Sequence, residues 1–227
     1  GKTMTAATLA ERALAKGKRV AFTVPRLSLI EQTLERWLAE GLTDIGVIQG
    51  RHTLTALHRP LQIASVQTLA RRDVEPFDLV IVDEAHERSR HISGLMRAPE
   101  WGGATWVGLS ATPWSKGLGE DWDDLVIGAT TAELIAAGYL SPFKAFAPSS
   151  PDLGGVKTVA GDYHEGQLSE AMSRPELVGC AVSTWLQHGA PAGTLVFGVD
   201  RAHARHLRDQ FEAAGVRCGY VDADTPM

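Results

Sequence analysis

The stretch FDLVIVDEAHERSRH, residues 77–91, sets an apolar run directly against two carboxylates. A continuous run such as Leu79–Val82 suits a strand buried on both faces at the centre of a parallel sheet. The run ends in Asp83 and Glu84. The C-terminal ends of strands form the ligand crevice of such sheets. Carboxylates placed there can hold a metal–phosphate complex and can orient and deprotonate a water. The plain alternative is a solvated acidic turn, and the flanking sequence weighs between the two.

Working outward, short apolar runs alternate with helical patterns, the signature of a parallel sheet covered by helices. RVAFTV (Arg19–Val24), LQIAS (61–65) and ATWVGLS (Ala104–Ser110) read as further strands. Leu27, Ile30, Leu34, Trp37 and Leu38 recur at helical spacing. After Pro113 the pattern loosens: WSKGLGEDWDD reads as loop, and TTAELIAAGYL as a helix stopping at Gly138. SPFKAFAPSSPDLGG (141–155) has the Pro, Ser and Gly content of a domain junction. Helical stretches around Glu165–Ala171 and Leu177–Gln187 follow. Then come an expected strand TLVFGV (194–199), a helix with Ala204, Leu207, Phe211 and Ala214 on one face, and an expected strand RCGYVD (217–222). The class expected is α/β, in two domains, the second ending abruptly.

Three short motifs carry chemistry. Gly1-Lys2-Thr3 leads straight into a helix. In a phosphate loop the backbone N–H groups and the helix N-terminus hold phosphate oxygens, with Lys on the β/γ-phosphates and Thr on Mg²⁺. Alone the tripeptide says little. Asp83-Glu84 gains weight from the four apolar residues before it and from GKT upstream. Ser110-Ala111-Thr112-Pro113 follows another strand, and its plain reading is a Ser/Thr cap or turn. HERSRH has one residue too many for the zinc pattern H-E-x-x-H. His86 and His91 would stand about 500° apart around a helix, so a zinc pair is rejected.

Taken in order, GKT, VPRLSLIEQ (24–32), ASVQTL (64–69), VDEAH (82–86) and LSATP (109–113) resemble the motif series of a superfamily 2 helicase or translocase of DEAH-box type. The likeness is to the branch that includes the type III restriction-enzyme motor and bacterial or phage DNA helicases. Residues 123–148 and 194–226 resemble the passage into the second motor domain and its start, so the resemblance covers nearly the whole chain.

The resemblance implies a P-loop NTPase with two RecA-like parallel-sheet domains. The first lacks its N-terminal strand and part of its loop, and the second is incomplete. It implies an ATP-binding domain over 1–135, a junction over 136–155 and a partial second domain over 156–227. The cofactors implied are ATP and Mg²⁺, and the activity an ATP-driven DNA helicase or translocase. Gly1 and Lys2 would hold the phosphates, Thr3 and Asp83 the Mg²⁺, and Glu84 would activate water. His86 with Ser110, Ala111 and Thr112 would couple the nucleotide site to the nucleic-acid track. Pro25, Arg26, Gln67 and Thr68 match the motifs that touch the sugar–phosphate backbone, which carry no sequence information. For Arg26 a solvated loop arginine is the equal alternative. An arginine finger would lie in later motifs, and Arg201, Arg205 and Arg208 read as the solvated face of a helix.

The 227 residues suit one large domain or two small ones, and 44% hydrophobic with 22% charged residues is globular composition. No run approaches the ~20 apolar residues of a bilayer span. Cys180 and Cys218 read as reduced thiols, which points to the cytoplasm. Net charge is −5, with 14 Lys+Arg against 12 Asp+Glu in residues 1–113 and 8 against 15 beyond, so nucleic acid would meet a local groove. The chain has no Asn, which removes the Asn-Lys-x-Asp guanine reader of GTPases. The branch favours DNA over RNA; a nuclease, replication or repair partner stays open. The alternatives are a binding module derived from such a motor and working without turnover, or the motor subunit of a restriction system.

Overall fold

All four strands expected in the first half form. The computed structural model describes residues 1–147, 150–159 and 162–225; Pro148 and Ser149 of the expected junction, and Pro226-Met227, lie outside the described residues. The chain forms two compact units, one over 1–128 and one beginning at Ala129.

In the first unit β1 (Val20–Val24), β2 (Ile45–Ile48), β3 (Leu61–Ser65), β4 (Leu79–Asp83) and β5 (Thr105–Leu109) make one parallel sheet in the order β2-β3-β1-β4-β5. Strand β2, from the run IGVI, went unread in the sequence. Side chains alternate across a strand, so each strand feeds two cores. Phe22, Val47, Ile63 and Ile81 point to a core closed by α1 (Lys2–Leu14) and α2 (Ser28–Ala39). Ala21, Ile48, Ala64, Val80 and Val82 point to a second, with residues of α3 (Val66–Leu69) and α4 (Arg90–Arg97). Fully burying a side chain such as Phe22 contributes roughly 1.5–3 kcal/mol.

Helix α2 buries Ile30, Leu34 and Trp37 as the spacing predicts, but Leu27 and Leu38 are exposed. Leu27 stands at the N-cap, outside the helix, and Leu38 turns about 100° beyond Trp37. Helix α1 buries only Ala6, Ala7 and Ala10, and these small side chains let its backbone lie close over β1 and β4.

The second unit holds α5 (Thr131–Ala136), a two-residue antiparallel pair β6 (Thr158–Val159) and β7 (Asp162–Tyr163), α6 (Glu165–Met172), α7 (Pro175–His188) and α8 (Arg201–Ala213). Thr130 and Glu133 make a reciprocal capping box that starts α5. Val178, Val182, Leu207 and Phe211 are buried where α6 and α7 meet α8. The runs Thr194–Val199 and Arg217–Asp222, expected as strands, take no ladder hydrogen bonds. Leu195 and Phe197 are 85% and 86% exposed. Their pattern has the composition of strands, but a strand exists only where a neighbour pairs with it.

Candidate active site

The close approach of α1 to β4 sets Lys2 against the end of that strand. Its Nζ lies 2.5 Å from Glu84 Oε1 and 3.8 Å from Asp83 Oδ1. Gly1 is the N-cap of α1, and its carbonyl accepts from Met4 N at 3.0 Å and Thr5 N at 3.2 Å. Thr3 is the second helical residue, and its carbonyl accepts from Trp37 Nε1 at 3.3 Å.

Asp83 closes β4 with its side chain 16% exposed, and its Oδ1 is buried without a hydrogen bond. Burial raises its pKa above the ordinary aspartate value, and the Lys2 charge opposes that rise. A buried carboxylate oxygen with no hydrogen bond among the described residues, beside the Lys2 cation, suits a hard divalent ion bound with phosphate. Glu84 has φ 49°, in the left-handed region that a glutamate enters at a cost. Backbone strain of that kind gathers at functional sites. A bond from Glu87 N to Glu84 O at 2.8 Å closes the turn after β4.

His86 completes the link to β5. Its Nδ1 lies 3.0 Å from Ser110 Oγ and 3.4 Å from Glu84 Oε2. Ser110 Oγ also accepts from Thr112 N at 3.0 Å, which ties the turn of Ser110, Ala111 and Thr112 to His86. The imidazole therefore bridges the two segments the sequence singled out.

The residues matched to nucleic-acid contact follow β1 and β3 along the same rim. A cleft of about 220 Å³ runs from Pro25 and Gln67 past Glu84 and Arg88 to Ser93 and Trp122. Thr68 is not in its lining; its hydroxyl accepts from Ser65 Oγ at 2.7 Å within the N-cap of α3. Arg26 is exposed outside the cleft and has no ion pair among the described residues. Arg88, Ser93, Asp121 and Trp122 were not read from the sequence. They are distant in the chain and meet only once β4 and β5 pair. On α8, Arg201 pairs with Asp224 at 2.6 Å, while Arg205 and Arg208 lie over the Tyr220 ring.

Among the described residues no helix is long and apolar enough to cross a membrane. The family model described as type III restriction enzyme, res subunit, matches residues 1–115. A 51.5 kDa protein of a Lactococcus phage (isolate 7-9) is 23% identical over 235 residues, 100% of this chain and 48% of that protein. The putative ATP-dependent helicase IRC3 of Saccharomyces cerevisiae is 30% identical over 179 residues, 72% of this chain and 26% of its own length. The chain thus spans about half or less of the curated relatives it matches. Among solved structures, the Pyrococcus furiosus Hef helicase domain aligns over 95% of this chain and 48% of its own, with TM-score 0.40 and 18% identity. A nuclease-deletion mutant of the Type ISP restriction-modification enzyme LlaGI, in complex with a DNA substrate mimic, aligns over 83% and 21% with TM-score 0.49 and 16% identity.

Proposed function

This chain belongs to the family of type III restriction enzyme res subunits, within the superfamily 2 helicases, and we propose that its first unit is a DEAH-type ATP- and Mg²⁺-binding motor half that moves on DNA. One observation carries the reading: Lys2, Asp83, Glu84, His86 and Ser110 meet at the ends of β4 and β5 within hydrogen-bonding or ion-pairing distance.

Bound Mg²⁺–ATP would supply the electrophilic phosphorus and neutralise its charge. Lys2 and the first turn of α1 would hold the β/γ-phosphates. Asp83, whose buried Oδ1 has no hydrogen bond among the described residues, and Thr3 would hold the cation. With Lys2 engaged by the phosphates, Glu84 would be free of its ion pair and would orient a water and take its proton. His86 senses Glu84 on one side and Ser110 on the other, so a shift of the Ser110–Thr112 turn reaches the carboxylate. Pro25 and Gln67, in the cleft that also holds Glu84, meet the strand's backbone, with Arg26 and Thr68 outside it. DNA is favoured over RNA by the branch alone, and a nuclease, replication or repair partner would be recruited elsewhere.

Titration of the chain with ATP and Mg²⁺ tests the site. Saturable, Mg²⁺-dependent binding is expected, and Lys2→Ala removes it. Glu84→Gln keeps binding and lowers any nucleic-acid-stimulated hydrolysis by about 10²-fold or more. No Mg²⁺-dependent binding by the wild type overturns the reading. Binding without turnover is a second reading, favoured because the second unit forms no parallel sheet among the described residues. Binding that persists with no stimulated hydrolysis selects it.

A further inference from the structure

Outside the motif series, one ion cluster around a buried carboxylate ties two of its segments together. Asp121 lies in the loop after Ser110-Ala111-Thr112, yet its side chain is only 5% exposed. Its Oδ2 accepts from Arg88 Nε at 3.2 Å and from the Ser93 hydroxyl at 2.8 Å. Its Oδ1 accepts from Arg97 Nη2 at 2.6 Å. Arg88 Nη2 also reaches Glu120 Oε2 at 2.9 Å.

The loop is shaped around this contact. Gly117 has φ 85°, and a Cβ there would collide with the Arg88 guanidinium. Trp122, next to Asp121, crowds the Cα of Gly108 on β5 together with Ala85. A Cβ on Gly108 would stand 2.9 Å from the indole and 2.8 Å from Ala85 Cβ. Arg88 and Ala85 belong to the segment that carries Glu84. That segment enters the left-handed region at Glu84, so backbone preference does not hold it in place. Lys2 and His86 hold its near end, and Arg88 holds its far end.

We propose that Asp121 is a positioning residue for the water-activating carboxylate: by gripping Arg88 it makes the loop after Ser110–Thr112 and the turn bearing Glu84 one body. This rests on the role assigned to Glu84 above. The cleft wall at Arg88 faces Pro25 and Gln67, so nucleic acid entering there would press on the same body.

Three variants separate positioning from mere stability. Asp121→Asn keeps the shape and loses the charge. Arg88→Lys keeps the charge and loses the Nε bond. Arg97→Ala removes a partner of Asp121 that stands on α4, away from the turn. Steady-state ATP hydrolysis with single-stranded DNA and amide hydrogen exchange at Ala85–Arg88 are read for each. Asp121→Asn and Arg88→Lys are expected to lower kcat about tenfold with KM unchanged. Both are expected to speed exchange at Ala85–Arg88 and not in β1. Arg97→Ala is expected to keep kcat within about twofold of wild type. Equal loss of thermal stability in all three, with wild-type kcat and exchange at the turn, would overturn the proposal. If the wild type hydrolyses nothing, the reading of Glu84 fails instead. Exchange at Ala85–Arg88 in Asp121→Asn then still decides the coupling.

Discussion

The runs ATWVGLS and TLVFGV look alike on paper, and the fold treats them differently. In the first unit Thr105–Leu109 pairs with β4 along its whole length, from Leu79 opposite Thr105 to Asp83 opposite Leu109. In the second unit Thr194–Val199 joins no sheet among the described residues: Thr194 Oγ1 accepts from Trp185 Nε1, Val199 N donates to His203 Nδ1, and Phe197 is 86% exposed. Composition proposes a strand, but the neighbour makes one. Each further strand shares the ordering cost and buries the last one's backbone groups. The first unit therefore has a rim on which side chains from β4 and β5 meet, and the second has three packed helices and exposed apolar runs.

The largest expected effect separates the units directly. Phe22→Ala, at a side chain 1% exposed against Trp37, should cost about 3–5 kcal/mol. Phe197→Ala should stay within about 0.5 kcal/mol. Urea unfolding of both variants reads the difference. A cost above about 1 kcal/mol at Phe197 would break the comparison, because it would mean the run is packed after all.

Most of the first unit was legible because its signals are local. The run Leu79–Val82 ending in Asp83 and Glu84 reads as a strand at the sheet centre, and it forms between β1 and β5 with the two carboxylates at its end. Strand β2 was missed: IGVI is four residues long and contains a glycine, which weakens a strand signal. What the sequence could not show is pairing. His86 and Ser110 meet only because β4 and β5 run in register, and no spacing along the chain announces a 3.0 Å contact between them. Arg88 and Asp121 were invisible for the same reason, each reading alone as a solvated charge. The α/β class itself rests on the first unit's sheet.

A smaller effect contrasts two glycines. Gly108→Ala pushes a methyl against Ala85 and Trp122, and should cost about 1–3 kcal/mol. Gly179 lies inside α7 with nothing within 4 Å of a Cβ, so Gly179→Ala should gain about 0.5–1 kcal/mol. Thermal midpoints of the two variants should move in opposite directions. A gain at Gly108 would mean that β5 is loosely seated and that the rim is less fixed than its hydrogen bonds suggest.

The smallest effect contrasts Asp83, at the end of β4, with Asp200, which caps α8. Asp83 has its pKa raised by burial, against the pull of Lys2. The folded state thus binds its proton more tightly than the unfolded chain does. That contribution is fully present below the ordinary aspartate value and is lost as pH rises through the raised one. Asp83→Asn removes this titration, so its stability relative to wild type should climb with pH through the carboxylate range and level off near neutrality. Asp200, which caps α8, has the opposite sign. The hydrogen bond from His203 N lowers its pKa, so its contribution is present above the ordinary value and lost as pH falls. Asp200→Asn should therefore lose ground to wild type over the same rise in pH. Unfolding midpoints of both variants from pH 4 to pH 8 test the pair of signs. If Asp83→Asn instead loses ground as pH rises, the Lys2 ion pair outweighs burial and the site is stabilised in its charged form. A carboxylate that resists ionisation in the folded chain costs stability near neutrality, and under the proposed reading a bound cation would offset that cost.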